Sequence, residues 1–240
     1  MLETIYTIPV NEVFDECAEN HSLGCPFCRL YDRLEKDELD LILGASMMEP
    51  EIRIKTNEKG FCPDHYAKMF ERKNRLQLAL MLESHLDKIK EDMDGNFLSN
   101  LVHGKGKNGN EKLETLEHTC YVCERIEGNL SKMILNSIYL YEVDYDKKET
   151  PFADKIAKQS YFCLPHYRRF IEDGRKNLDK KKFSDFYKLV STLEEEYFSS
   201  LRADVSWFIK KFDYRYENED WGNAKDSVQR AMAFLNGRNI

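Results

Sequence analysis

Apolar residues recur at intervals of three and four through most of the chain, which is the spacing of one face of an α-helix. The clearest case is 183–212, where aromatic and aliphatic residues keep this spacing for most of thirty positions. We expect helices at 11–19, 29–43, 50–60 and 63–93, then from Cys123, at 151–159, from about Pro165 with a break near Gly174, at 183–212 and at 223–235. Only 5–10 has a possible strand pattern. The pattern predicts a mostly α protein with long C-terminal helices.

One segment rich in glycine divides the predicted helices into two groups. Residues 104–110 read Gly-Lys-Gly-Lys-Asn-Gly-Asn, a composition typical of a flexible connection. We therefore expect a first helical unit at 1–103, a linker at 104–110, and a second unit with a helical extension at 111–240.

Six of the seven cysteines belong to a pattern that occurs twice. The first copy is Cys25-Pro-Phe-Cys28 with Cys62-Pro-Asp-His65, and the second is Cys120-Tyr-Val-Cys123 with Cys163-Leu-Pro-His166. The second set follows the first by 95 to 101 residues, and in both sets an aromatic residue precedes the third cysteine and a tyrosine follows the histidine. This agreement indicates a tandem duplication.

The spacing of these residues is that of metal ligands. A CxxC supplies two thiolates from one turn, a CxxH adds a thiolate and an imidazole, and together they make a tetrahedral set typical of structural zinc. If each CxxC pairs with the next CxxH, one zinc ion is held by Cys25, Cys28, Cys62 and His65, and a second by Cys120, Cys123, Cys163 and His166. We thus expect two zinc ions per chain, each joining two helix N-termini.

Two other interpretations of the cysteines stay open. They can be ordinary buried thiols, since free cysteine is among the most buried residues, or ligands of an iron-sulfur cluster. A histidine in both sets favours zinc, because iron-sulfur clusters are usually held by four cysteines. Cys17 is expected to be a core or surface thiol and His85 a core histidine, while His21 and His118 are expected near the ligands or at the surface.

Composition excludes some classes of protein. The 240 residues are 42% hydrophobic and 33% charged, which is typical of a globular protein and excludes a disordered or collagenous chain. The N-terminus has no basic region or apolar run of a signal peptide, and no stretch is long enough for a membrane span. We expect a cytoplasmic protein, and in that compartment thiols are kept reduced.

Charge gives a weak indication about partners. The formal net charge is -7, and it divides into -8 over 1–118 and +1 over 119–240. The segment 168–182 carries seven basic and three acidic residues with aromatic neighbours, a composition found in nucleic-acid-binding patches and in solvated helix ends. We expect weak nucleic-acid binding at most.

Several segments together resemble a bacterial family of unknown function over nearly the full chain. They are Ile5-Tyr-Thr-Ile-Pro-Val10, Cys25-Pro-Phe-Cys28, Gly60-Phe-Cys-Pro-Asp-His-Tyr66 and Asn74-Arg-Leu-Gln-Leu-Ala-Leu80. The resemblance implies duplicated CxxC and CxxH motifs. Some members carry labels as solute-binding components of transporters, which the absence of an export signal and of a two-lobed α/β pattern disfavours for this chain.

The sequence favours a non-enzymatic interaction or regulatory module with structural zinc. No set of catalytic residues stands out, and the long amphipathic helices can pair with a protein partner or with a second copy. The alternatives are a thiol- or metal-based redox switch or enzyme, and a nucleic-acid-binding protein that uses 168–182.

Overall fold

The computed structural model describes residues 6–44, 48–103, 114, 116–147 and 151–237, with the backbone alone over 94–103. In these ranges the regular elements are helices, and no strand occurs. The α-helices are α1 (Thr7–Glu19), α2 (Pro26–Ile42), α3 (Pro50–Lys59), α4 (Pro63–Glu71), α5 (Arg75–His103), α6 (Tyr121–Asp144), α7 (Pro151–Ala157), α8 (Leu164–Asn177), α9 (Lys180–Lys210) and α10 (Ser227–Asn236). The mostly α fold is confirmed, and the longest helix of the C-terminal part is α9. None of these helices has the length and apolar character needed to cross a membrane.

The possible strand at 5–10 is wrong for its described part. Residues 7–10 form the first turn of α1, and Val10 is fully buried as part of the apolar face of that helix. Two aliphatic residues in alternation are too few to distinguish a strand from a helix turn.

The single helix expected at 63–93 is two helices, α4 and α5. The chain becomes extended at Arg72 (φ -76°, ψ 151°), and the side-chain amide of Asn74 donates to the carbonyl of Leu43 at 2.9 Å. The hydrogen bond holds the start of α5 against the end of another segment, so a tertiary contact sets the break.

The break expected near Gly174 is also wrong, because α8 continues through this residue to Asn177. A Cβ atom at Gly174 would lie 2.6 Å from a ring carbon of Phe186, so the glycine allows close packing of α8 on α9. The chain turns at Leu178 instead, and the Asp179 side chain caps α9 by accepting from the backbone N–H groups of Lys181 and Lys182.

The chain forms two compact units that are not consecutive in sequence. One unit, which we call the discontinuous unit, comprises Met1–Asp32 and Leu130–Ile240, and the other, the central unit, is Arg33–Asn129. The boundaries fall inside α2 and α6. The units therefore differ from the expected division into 1–103 and 111–240, and the glycine-rich segment 104–110 lies outside the described residues.

A cluster of fully buried phenylalanines forms the core of the discontinuous unit. Its members are Phe14, Phe27, Phe152, Phe162, Phe170 and Phe186. Phe27 lies inside the first CxxC and Phe162 immediately precedes Cys163, and their ring centroids are 5.5 Å apart. Burial of these two rings in one core brings the two ligand-bearing turns together.

In the central unit, two hydrogen bonds bring the ligand-bearing segments together. The Tyr121 N–H donates to the Gly60 carbonyl at 3.0 Å, and the Thr119 hydroxyl donates to the Lys59 carbonyl at 2.8 Å. These bonds join the end of α3, two residues before Cys62, to the segment that carries Cys120.

Candidate metal centres

Four ligand atoms converge at the start of α2 and α8 in the discontinuous unit. This group, which we call site A, consists of Cys25, Cys28, Cys163 and His166, whose ligand atoms all lie within 4.8 Å of one another. The His166 Nδ1 atom is 3.7, 3.4 and 3.0 Å from the sulfur atoms of Cys25, Cys28 and Cys163, respectively. The Cys28 and Cys163 sulfur atoms are 3.5 Å apart.

A second group has the same composition in the central unit. This group, site B, consists of Cys62, His65, Cys120 and Cys123, again with all ligand atoms within 4.8 Å. The His65 Nδ1 atom lies 3.1 Å from the Cys62 sulfur and 3.3 Å from each of the Cys120 and Cys123 sulfurs. The sulfur atoms of Cys62 and Cys123 are 3.8 Å apart.

These distances between ligand atoms fit tetrahedral coordination of one ion of the size of zinc. Zn–S bonds of about 2.3 Å and Zn–N bonds of about 2.0 Å place ligand atoms about 3.5 to 3.8 Å apart along the edges of a tetrahedron. Both sites therefore have the ligand number, ligand type and size for one such ion.

Each half-site lies at the N-terminus of a helix. Cys62 and Cys163 are the N-cap residues of α4 and α8, and Pro63 and Pro165 occupy the first turns. The other two half-sites begin α2 and α6, where the Cys123 N–H donates to the Cys120 sulfur at 3.5 Å. Unpaired N–H groups and the positive end of the helix dipole stabilise thiolates at these positions.

A carboxylate fixes the orientation of the histidine in site B. His65 is buried, and its Nε2 atom lies 3.2 Å from Glu35 Oε1, while Lys68 pairs with the other oxygen of Glu35. When Nε2 carries the proton and donates it to Glu35, Nδ1 presents its lone pair to the sulfur atoms. Such a carboxylate partner sets the tautomer and raises the basicity of a metal-binding histidine.

The three thiols of each site do not all ionise easily in the absence of a metal ion. In site A the pKa of Cys163 is lowered, mainly by its side-chain hydrogen bond with Cys25, while the side-chain hydrogen bond between Cys28 and Cys163 raises the pKa of Cys28. In site B burial is the main cause that raises the pKa of Cys123. A divalent cation supplies the charge that allows all three thiolates to form together.

A buried carboxyl group supports the turn that carries Cys163. Glu194 on α9 is 8% exposed and accepts a hydrogen bond from the Phe162 N–H at 3.1 Å. Burial raises the pKa of Glu194 to about 8. Burial therefore disfavours the charged form of this carboxyl group.

The eight predicted ligand residues form two groups, but the predicted pairing is wrong. The sequence predicts that Cys25 and Cys28 join Cys62 and His65, whereas in the structure each CxxC joins the CxxH of the other repeat. Contacts within each compact unit give the physical reason. Phe27 and Phe162 pack in the core of the discontinuous unit, and the Tyr121 N–H donates to the Gly60 carbonyl in the central unit.

The full chain, residues 1–240, matches the model of a family described as a family of unknown function, DUF6062. The chain belongs to this family. No curated protein and no solved structure matched the chain. The family membership agrees with the resemblance inferred from the motifs.

The remaining candidate residues lie outside both sites. Cys17 is buried in α1, and His85 is a core residue whose Nδ1 atom lies 2.8 Å from the Asn57 carbonyl, as expected for a core histidine. His21 and His118 are exposed. Sequence reasoning missed Glu35, because an acidic residue on a charged helix carries no signal until His65 is placed beside it.

Proposed function

We propose that this protein binds two zinc ions, one in each site, and that the ions are structural. The observation that carries the proposal is the convergence of three sulfur atoms and one imidazole nitrogen within 4.8 Å in both sites. Zinc accepts this tetrahedral set without a preference imposed by d electrons, and a site with four protein ligands leaves no position for substrate.

Burial supports a structural rather than catalytic role for the ions. Cys25, Cys163, Cys120 and His65 are all less than 9% exposed. Each site joins chain segments that are far apart in sequence, so the free energy of metal binding becomes free energy of folding.

We infer that the molecule works as an interaction or regulatory module in a reducing compartment such as the cytoplasm. All seven cysteines are free thiols in the structure, and the two metal sites account for six of them. Reduced thiols close enough to bind one ion are suited to a compartment that keeps them reduced.

Nucleic acid is the less favoured partner. Several basic side chains of 168–182 make ion pairs within the chain: Arg168 with Glu172, Lys176 with Asp173, and Lys182 with Glu142 and Asp179. Cations already paired with carboxylates gain less from a phosphate backbone. We expect weak, salt-sensitive binding to oligonucleotides at about 0.15 M salt.

Metal analysis tests the zinc proposal. Protein purified without added metal should contain about two zinc ions per chain, and removal by a strong chelator should abolish most of the helical circular dichroism. Less than one zinc per chain, or iron with visible absorbance, would contradict it. Intact helical signal after complete metal removal would show that the ions are not structural, and would favour a thiol switch or an open catalytic site.

A further inference from the structure

The two metal sites differ in how far their sulfur atoms are exposed to solvent. In site A the Gly237 carbonyl oxygen lies 2.6 Å from the Cys28 sulfur, and a Cβ atom on Gly237 would lie 3.1 Å from the Cys163 sulfur. The end of α10 therefore covers these two ligands. In site B, Cys123 is partly exposed and is less buried than Cys28, the residue at the same position of the other CxxC. A small molecule in solution has readier access to the sulfur of Cys123.

A second sulfur atom of site B lies close enough to Cys123 to form a disulfide with it. The sulfur atoms of Cys62 and Cys123 are 3.8 Å apart, so they must approach by about 1.8 Å to reach the disulfide bond length of about 2.05 Å. Cys62 is also partly exposed. Cys120, the third cysteine of the site, is buried, and its sulfur accepts a hydrogen bond from the Cys123 N–H, which makes it a weaker nucleophile.

Contacts outside the ligand set keep Cys62 and Cys123 near one another. The hydrogen bonds from Tyr121 to the Gly60 carbonyl and from Thr119 to the Lys59 carbonyl join the two ligand-bearing segments without using a ligand atom. Reacting groups that the fold already holds close together combine more readily. Site A also has a close pair of sulfur atoms, Cys28 and Cys163 at 3.5 Å, so exposure and not distance distinguishes the two sites.

We propose that site B is a peroxide-sensitive site, in which Cys123 is oxidised first, Cys62 closes a disulfide and the zinc ion is released, while site A keeps its ion. The proposal rests on the proposed zinc occupancy of both sites. It deepens the regulatory role by assigning it to one site and to one class of oxidant, hydrogen peroxide.

The oxidation proceeds in two steps. The Cys123 thiolate attacks one oxygen of hydrogen peroxide, so that an S–O bond forms, the O–O bond breaks, and the departing hydroxide takes up a proton to give water. The sulfur is oxidised by two electrons to a sulfenic acid, and the peroxide is reduced. The Cys62 thiolate then attacks this sulfur, an S–S bond forms, and the hydroxide that leaves becomes a second water. Two of the four ligands are thereby lost, and the remaining Cys120 and His65 do not complete a zinc site.

Peroxide treatment of the full-length protein tests the proposal. Protein shown to carry two zinc ions per chain is mixed with hydrogen peroxide and a chromophoric zinc chelator that removes no zinc without peroxide. About one ion per chain should be released as two thiols are lost, and the thiols of site B should react at least about tenfold faster than those of site A, because oxidation follows exposure. Peptide mapping after alkylation should find the disulfide between Cys62 and Cys123. Dithiothreitol with added zinc should restore both thiols and the ion.

The matched control is Cys17→Ala, which removes the one cysteine that lies outside both sites. It should release zinc and lose two thiols as the parent does. Equal release of both ions, release of neither, a disulfide within site A, or a disulfide between Cys120 and Cys123 would overturn the proposal. Each of these outcomes leaves the metal proposal standing, because two ions were present at the start. Less than one zinc ion per chain before peroxide is added would contradict the metal proposal, and this one with it.

Discussion

At the scale of single residues, both sites consist of three cysteines and one histidine, but the histidine has different neighbours in each. The buried His65 has Glu35 against its second ring nitrogen, and Glu35 is itself paired with Lys68. His166 contacts the ring of Phe27 edge-on at 5.8 Å between centroids. The histidine ring of site B is therefore oriented by a carboxylate, whereas that of site A packs against an aromatic ring.

This difference predicts that site B alone responds to loss of Glu35. In Glu35→Ala the imidazole loses the acceptor that fixes its tautomer, and the zinc affinity of site B should fall about 10- to 100-fold. Competition with a chromophoric chelator should then show one ion leaving early and one leaving as in the parent. Asp37→Ala, an exposed acid on the same helix, is the control and should release both ions as the parent does. Early release of both ions, or of neither, would contradict the assignment.

At the scale of elements, the sequence predicts where helices begin better than where they are interrupted. Pro50, Pro63 and Pro151 mark helix starts because the fixed φ of proline suits the first helical turn. The break between α4 and α5 carries no such local signal, since the bond from Asn74 to the Leu43 carbonyl defines it. At Gly174 a glycine suggests a helix break where none occurs. The glycine is needed there because a Cβ atom would collide with the ring of Phe186.

The glycine that ends α3, Gly60, adopts a backbone conformation and a close contact that a residue with a Cβ atom cannot easily accept. Gly60 has φ +59°, and a Cβ atom there would lie 2.9 Å from His85 Nε2. Gly60→Ala should therefore destabilise the protein by about 2 to 3 kcal/mol through backbone strain and this clash. Thermal unfolding of the zinc-loaded protein should show a lower melting temperature for Gly60→Ala than for the parent.

Gly128→Ala is the matched control for this substitution. Gly128 lies within α6, and a Cβ atom there meets nothing within 4 Å. Alanine at this position should raise stability by about 0.5 to 1 kcal/mol, because glycine is unfavourable inside a helix. If both variants were destabilised alike, the conformation of Gly60 and its contact with His85 would not be the cause.

At the scale of the whole molecule, the eight residues that form the two candidate sites could be picked out from the sequence, but their grouping could not. Either CxxC can chemically accept either CxxH, because all four half-sites offer equivalent atoms at helix starts. The deciding contacts are tertiary: Phe27 with Phe162 in the discontinuous unit, and Tyr121 with Gly60 in the central unit. The sequence pattern within one repeat contains no information about contacts between repeats. The compact units therefore differ from the consecutive units expected at 1–103 and 111–240.

The crossed grouping makes a prediction that the consecutive one reverses. Cys28→Ala with Cys163→Ala removes two ligands from site A and leaves site B whole, so the chain should keep one tightly bound zinc ion. Cys28→Ala with Cys62→Ala removes the same number of cysteines but one from each site, so no ion should survive dialysis against a chelator of intermediate affinity. In the first variant, loss of hydrogen-exchange protection should concentrate in the discontinuous unit, because binding energy at site A is folding energy of the segments it joins. If the two double variants exchanged these outcomes, each CxxC would bind with the CxxH that follows it in sequence, and the crossed grouping would be wrong.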